Sequence, residues 1–175
     1  MRLFIALELP EEVRERLGEL CRGLAGVRWS SQDQFHLTLH FLGEQENVEE
    51  IETALENVSA EPFSLSLKGV GRFVAERGNG AIWAGVENSS GLSDLHSRIG
   101  KTLRNAGIIP DRRPFSPHIT LGRIQNATDS RIHEYLDQFQ EFQTTVPERR
   151  EFTLFSSRLR PEGPIHNIIQ QYEFT

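Results

Sequence analysis

The sequence has little of what marks a secreted or membrane-spanning protein. Cys21 is the only cysteine among 175 residues, which excludes an internal disulfide and a cysteine-based metal cluster and indicates a reducing compartment. No apolar run reaches the length of a membrane-spanning helix. The apolar stretch 1–9 is interrupted by Glu8 and lacks the cleavage site of a signal peptide. We therefore expect a soluble, cytoplasmic protein without a membrane partner.

An excess of positive charge is also absent. The net charge is −6 and the pI is about 5.5, which excludes broad neutralisation of a nucleic-acid backbone, so any RNA contact must be local. No low-complexity linker divides the chain. We expect residues 1–175 to form a single domain of two closely packed lobes, and we expect a monomer.

Apolar residues follow strand spacing in some stretches and helical spacing in others, which predicts an α+β fold. The first helical pattern begins after Pro10 and continues to Leu24. Further helices are predicted from Asn47, Ser90 and Asp129.

Two parts of the chain repeat one order of elements: a strand with a His-x-Thr tripeptide, then a helix, then another strand-like stretch. The tripeptides are His36-Leu37-Thr38 and His118-Ile119-Thr120. The repeat predicts two lobes related by a pseudo-twofold axis, with both tripeptides at the cleft between them.

Strand geometry gives each tripeptide two faces. Residues i and i+2 of a strand point to the same side, so His36 and Thr38 point together while Leu37 points into the core. The same holds for the second tripeptide. Two imidazoles and two hydroxyls would then meet at the cleft.

This set of groups suits displacement at phosphorus. Histidine has an ordinary pKa near 6.5, so one imidazole can accept a proton while the other donates one. Threonine hydroxyls can donate hydrogen bonds to the non-bridging phosphate oxygens. No metal or other cofactor is required. From these residues alone, two sheet histidines that do no chemistry remain an alternative.

Several stretches, two of which contain the tripeptides, resemble the 2H phosphoesterase superfamily, and within it the RNA 2′,3′-cyclic phosphodiesterases once called 2′-5′ RNA ligases. The matching stretches are MRLFIA with the PEE that follows, Trp29 to Gly43 with HLTLHFLG, GVGRF from Gly69, WAGV from Trp83, RPFSPHITLGR from Arg113, and LFSSRL from Leu154 with the later Gly163-Pro164.

The resemblance implies a bilobal, LigT-like fold: two pseudo-twofold-related lobes of antiparallel sheet with helices outside and a central cleft. It also implies hydrolysis of RNA 2′,3′-cyclic phosphate ends, including those of tRNA fragments, to 2′-phosphates. The reverse, ATP-independent 2′-5′ ligation belongs to the same chemistry. In this scheme His36 is the general acid, His118 is the general base, and Thr38 and Thr120 bind the phosphate.

The family also places the terminal base between an aromatic ring and a guanidinium, five residues after each histidine, which implies Phe41 and Arg123 here. Strict alternation would put Phe41 in phase with Leu37 and in the core, so stacking requires that the strand end or bulge after Leu39.

His40 stands where the family often has arginine. By alternation it is in phase with His36, so we expect it to line the cleft and contact RNA. A His36/His40 metal site is disfavoured because neither tripeptide strand carries an acidic residue. His96 and His133 lie on predicted helices and are expected to be exposed.

Two alternative functions remain open at this point. One is a relative that acts on a small cyclic nucleotide or a 2′-5′ oligonucleotide. The other is a non-catalytic module that binds RNA ends, which would need Phe41 and Arg123 but not two histidine-threonine pairs.

Overall fold

A computed structural model describes residues 1–75 and 80–174. Within these residues it contains nine strands, four α-helices and one 3₁₀ turn at Gln32–Gln34. The strands are β1 (Arg2–Glu8), β2 (Val27–Trp29), β3 (His36–Glu44), β4 (Phe63–Phe73), β5 (Ala81–Val86), β6 (His118–Ile124), β7 (Gln143–Arg149), β8 (Glu151–Arg158) and β9 (Ile165–Glu173). The helices are α1 (Glu11–Gly18), α2 (Val48–Leu55), α3 (Ser90–Asn105) and α4 (Asp129–Phe139).

The strands form two sheets, in which every pairing is antiparallel. Sheet A has the order β3-β1-β8-β9, and sheet B has the order β2-β6-β5-β4-β7. Strands β3 and β6 contact each other, so the sheets adjoin where the tripeptides lie. The predicted α+β class with two antiparallel sheets is confirmed.

The lobes do not correspond to the two halves of the sequence. Sheet A combines the early strands β1 and β3 with the late strands β8 and β9. Sheet B includes β4 and β5, which precede the second tripeptide in the chain. Each lobe is therefore built from both halves of the sequence.

Alternate side chains of β1 are buried on opposite faces of sheet A. Leu3, Ile5 and Leu7 of β1 are buried in the main core, while Phe4 and Ala6 point to the other face and pack with Phe155. Helix α3 buries the residues that its helical spacing predicts: Leu92, Leu95, Ile99 and Leu103. The main core includes residues of both sheets. Among the described residues, no helix is both long enough and apolar enough to cross a membrane.

The first helix is shorter than its apolar spacing predicted. Helix α1 ends at Gly18, yet Leu20 and Leu24 are still buried beyond it. Glycine is a weak helix former, and Gly18 lies directly against the Gln32 side chain of the 3₁₀ turn. The buried residues that predicted one long helix therefore lie partly in α1 and partly in the turn that follows it.

A glycine fixes the start of β2 beside the end of β6. Gly26 has φ +80°, and its carbonyl accepts hydrogen bonds from the backbone N–H groups of Gln125 and Asn126 at 2.8 and 2.9 Å. A Cβ at Gly26 would lie 1.7 Å from the Asn126 carbonyl oxygen. Only glycine fits here without movement of the backbone.

We predict that Gly26→Ala lowers the free energy of unfolding by about 3 kcal/mol, because left-handed strain adds to backbone overlap. Gly107→Ala is the matched control: Gly107 has φ +82° but nothing within 4 Å of its Cβ position, so only the strain of about 1 kcal/mol applies. Urea denaturation of both variants measures the difference. Equal losses would contradict the role assigned to the Asn126 contact.

Candidate active site

Both tripeptides face one cavity of about 520 Å³ between the sheets. The cavity is lined by the two histidines and the two threonines, which are half-buried: His36, Thr38, His118 and Thr120. The residues between and after them point the other way, since Leu37, Ile119 and Leu121 are fully buried. The structure thus brings together the four groups that the sequence predicts to meet.

A β-bulge after Thr38 reverses the alternation in β3. Ala6 pairs with Thr38 and the preceding Ile5 pairs with His40, so Leu39 is an extra residue. Beyond the bulge, Phe41 is 49% exposed and lines the cavity. The bulge needed to bring Phe41 to the cavity is present.

Strand β6 has the same irregularity at the equivalent place. Trp83 pairs with Thr120 and Ile82 pairs with Gly122, which leaves Leu121 as the extra residue. Arg123 is consequently exposed and lines the cavity. The pseudo-twofold relation therefore extends from the histidines to the residues five positions later.

The prediction that His40 lines the cleft is wrong, because the same bulge turns its side chain away. His40 is only 6% exposed, and its Nε2–H donates to the His96 carbonyl of α3 at 2.8 Å. Its ring stacks on His96 at 4.0 Å, and His96 stacks on Phe115 at 3.9 Å. His96 is half-buried in this stack, which also corrects the expectation that it is exposed.

The imidazoles of the two tripeptides are each oriented by a backbone carbonyl two residues earlier. His36 Nδ1–H donates to the Gln34 carbonyl, and His118 Nδ1–H donates to the Ser116 carbonyl, both at 2.7 Å. These bonds fix the tautomer, so Nε2 is the nitrogen that can accept or donate a proton.

The surroundings of His36 favour its neutral form. Phe4 lies 5.0 Å from the His36 ring centre, and His166 lies 5.4 Å from it edge-on. Burial, followed by repulsion from His166 and His118, lowers the pKa of His36 to about 4. His36 is therefore uncharged at neutral pH in the free protein.

Two side chains hold the segment 161–164 at the rim of the cavity. Gln34 donates from Nε2 to the Pro164 carbonyl at 2.7 Å, and Arg28 donates from Nη1 to the Pro161 carbonyl at 3.0 Å. Sequence reasoning missed both. Gln34 could have been noticed, because it forms a capping box with Ser31.

Within residues 1–75 and 80–174, no group of three or more His, Cys, Asp or Glu side chains is arranged to hold a metal ion. The cavity holds the imidazoles of both tripeptides together with that of His166. This arrangement supports acid and base chemistry on an anionic ligand.

A family model described as the 2′-5′ RNA ligase superfamily matches residues 9–154. The chain belongs to this superfamily. A member from Thermotoga maritima, named RNA 2′,3′-cyclic phosphodiesterase, is 34% identical, with 99% of this chain and 96% of the relative covered. An Archaeoglobus fulgidus protein of the same name is 30% identical, with 99% and 100% covered. The family predicted from the motifs is confirmed.

Solved structures share the fold of this 2′-5′ RNA ligase superfamily member. A Thermus thermophilus protein has a TM-score of 0.78 at 29% identity, with 99% of this chain and 98% of that chain covered. Escherichia coli LigT complexed with NADP+ has a TM-score of 0.76 at 26% identity, with 99% and 97% covered. The predicted LigT-like fold is confirmed.

We predict that His36 titrates near pH 4 in the free protein and at higher pH when an anion fills the cavity. Negative charge near Nε2 stabilises the imidazolium, so adenosine 2′-phosphate should raise the pKa of His36. NMR titration of the imidazole signals with and without this nucleotide measures the change, and equal ionic strength of sodium chloride is the control. A free-protein pKa near the ordinary value of about 6.5, or no rise with nucleotide, would contradict the burial argument.

Proposed function

We propose that this protein hydrolyses 2′,3′-cyclic phosphate ends of RNA to 2′-phosphate ends without a metal ion. The observation that carries this proposal is the matched pair of imidazoles in one cavity, each fixed through Nδ1 to a backbone carbonyl and each beside a threonine. Relatives named RNA 2′,3′-cyclic phosphodiesterase support the substrate class.

The two histidines have opposite roles in the proposed step. His118 Nε2 accepts a proton from water, whose oxygen forms a bond to phosphorus. The bond from phosphorus to the ribose 3′ oxygen breaks, and His36 Nε2 donates its proton to that oxygen. The product has a 2′-phosphate and a free 3′-hydroxyl. His118 then releases its proton to solvent, and His36 stays neutral until the next substrate binds, which restores the free enzyme.

The low pKa of His36 fits its role as the acid once substrate is bound. A neutral imidazole cannot donate the required proton, but the cyclic phosphate is an anion and enters a poorly solvated site. Its charge stabilises the imidazolium, so His36 becomes protonated in the complex. The acid is then charged mainly when there is a substrate to receive its proton.

The threonines bind and polarise the phosphate. Thr38 and Thr120 lie on the same face as the two imidazoles, one on each side of the cavity. Their hydroxyls donate to non-bridging oxygens, where charge shifts in the transition state. This stabilisation replaces the one that a metal ion supplies in other phosphoesterases.

Phe41 and Arg123 bind the terminal base in this proposal. Both line the cavity three residues beyond a threonine. An aromatic ring and a guanidinium stack on any base, which suits an enzyme that acts on RNA ends of varied sequence.

We predict that His36→Ala and His118→Ala each lower kcat on RNA with a 2′,3′-cyclic phosphate end by about 10²–10⁴-fold, because each removes one proton transfer. His133→Ala removes an exposed histidine of α4 outside the cavity and is the control. Reactions contain EDTA, and chromatography against standards separates the 2′-phosphate and 3′-phosphate products.

Three results would contradict this mechanism. They are full activity in either cavity variant, a 3′-phosphate product, and loss of wild-type activity in EDTA. Circular dichroism and urea denaturation of each variant separate lost chemistry from lost folding.

We predict that Phe41→Ala raises KM for the same RNA about tenfold, since a base–aromatic stack contributes roughly 1–3 kcal/mol. Phe41→Trp should retain a low KM because the indole also presents a flat face. Ile168→Ala, which removes an exposed apolar side chain outside the cavity, should leave KM unchanged. An unchanged KM in Phe41→Ala would contradict stacking.

A further inference from the structure

Two arginines lie side by side on the cavity face of sheet B. Arg28 of β2 is paired directly with Arg123 of β6. Both side chains are exposed and both line the cavity, whereas the preceding residue Val27 packs against the core. The two guanidinium groups therefore project from neighbouring strands into the same space.

No ion pair within the described part of the protein neutralises these two like charges. Neither Arg28 nor Arg123 forms an ion pair with a carboxylate in residues 1–75 and 80–174, although Glu162 also lines the cavity. Like charges directly opposite each other in a sheet destabilise it. An anion bound between or beside them would remove that repulsion, so the pair points to a negatively charged ligand.

Arg28 is held in place for such a ligand. Its Nη1 donates to the Pro161 carbonyl at 3.0 Å, which restricts the side chain. A guanidinium has five N–H donors, so this single bond leaves donors for a phosphate oxygen, including a two-donor fork. Restricting the arginine beforehand lowers the entropy lost when an anion binds.

One arginine of the pair already has a role in the proposed function, on which this inference rests. Arg123 stacks on the base of the terminal nucleoside, and the cyclic phosphate lies at the imidazoles. Arg28 contacts neither of these groups in that scheme. The remaining anionic position of an RNA end is the phosphate on the 5′ oxygen of the terminal ribose, where the preceding nucleotide is attached.

We propose that Arg28 binds this 5′ phosphodiester and makes the enzyme selective for RNA ends of two or more nucleotides over a mononucleotide cyclic phosphate that has no 5′-phosphate. The chain carries a net charge of −6, so attraction of RNA must come from such local groups and not from the protein as a whole. The enzyme would then bind two successive phosphates of the RNA, the reacting one at the imidazoles and the preceding one at Arg28.

The test compares three substrates: adenosine 2′,3′-cyclic phosphate, the same nucleotide with a 5′-phosphate, and the dinucleotide ApA with a 2′,3′-cyclic phosphate end. We expect wild-type kcat/KM to be about tenfold higher for the second and third than for the first. In Arg28→Gln, kcat/KM for the second and for the third substrate, each divided by that for the first, should fall to near one. Arg28→Lys, which keeps the charge, should retain part of the wild-type difference.

Salt dependence provides a second readout that a purely structural role for Arg28 would not change. The slope of log kcat/KM against log salt concentration for the dinucleotide should be less steep by about one in Arg28→Gln. Arg22→Gln removes the same charge from an exposed position outside the cavity, and it should keep both the wild-type ratio and the wild-type slope.

Several results would overturn the inference. One is a wild-type ratio near one, and another is an Arg28→Gln ratio equal to that of the wild type. A gain for the 5′-phosphorylated mononucleotide alone would identify a terminal monophosphate as the ligand and refute selectivity for RNA chains. A higher kcat/KM for the dinucleotide alone would show that the enzyme recognises the nucleoside preceding the terminal one and not the phosphate between them. If none of the three substrates is hydrolysed, the proposed function itself is refuted.

Discussion

A β-strand turns alternate side chains to opposite faces, and this constraint governs how two strands support both the core and the cavity. In β3 and β6 the buried Leu37 and Ile119 anchor the strands while the histidines and threonines face the cleft. An unbroken alternation would then place Arg123 in phase with Ile119, and a buried, unpaired guanidinium is strongly unfavourable. An extra residue directly after each threonine, Leu39 or Leu121, reverses the phase and brings the later side chain to the cavity.

Hydrogen bonds from the two imidazoles to backbone carbonyls decide which ring nitrogen faces the cavity. Each bond occupies Nδ1 and leaves Nε2 for proton transfer, so the two lobes present equivalent groups. Their surroundings differ, because His36 lies beside Phe4 and a second imidazole, that of His166, whereas His118 lies beside Phe73 and Trp83. A symmetric backbone with an asymmetric environment can therefore give one histidine a role that depends on bound anion.

The sequence predicted the two His-x-Thr units because period-two spacing is a local property that the residues themselves carry. It could not place the bulges, since these depend on which residue of β1 or β5 pairs with which residue of β3 or β6. Regular alternation wrongly placed His40 in the cleft, because its burial depends on the bulge and on His96 of a distant helix. Arg28 has no distinctive local pattern, and only the strand register reveals Arg123 beside it.

Each sheet contains strands from both halves of the sequence, so neither sheet can be completed early in synthesis. Sheet A places β1 between β3 and β8, and β9 pairs only with β8. During synthesis, the early strands must wait with an unpaired edge until most of the chain has left the ribosome, which favours slow folding and temporary binding of chaperones. Neither sheet can therefore be completed by one half of the sequence alone, so both His-x-Thr units reach their final positions only when late strands have joined early ones.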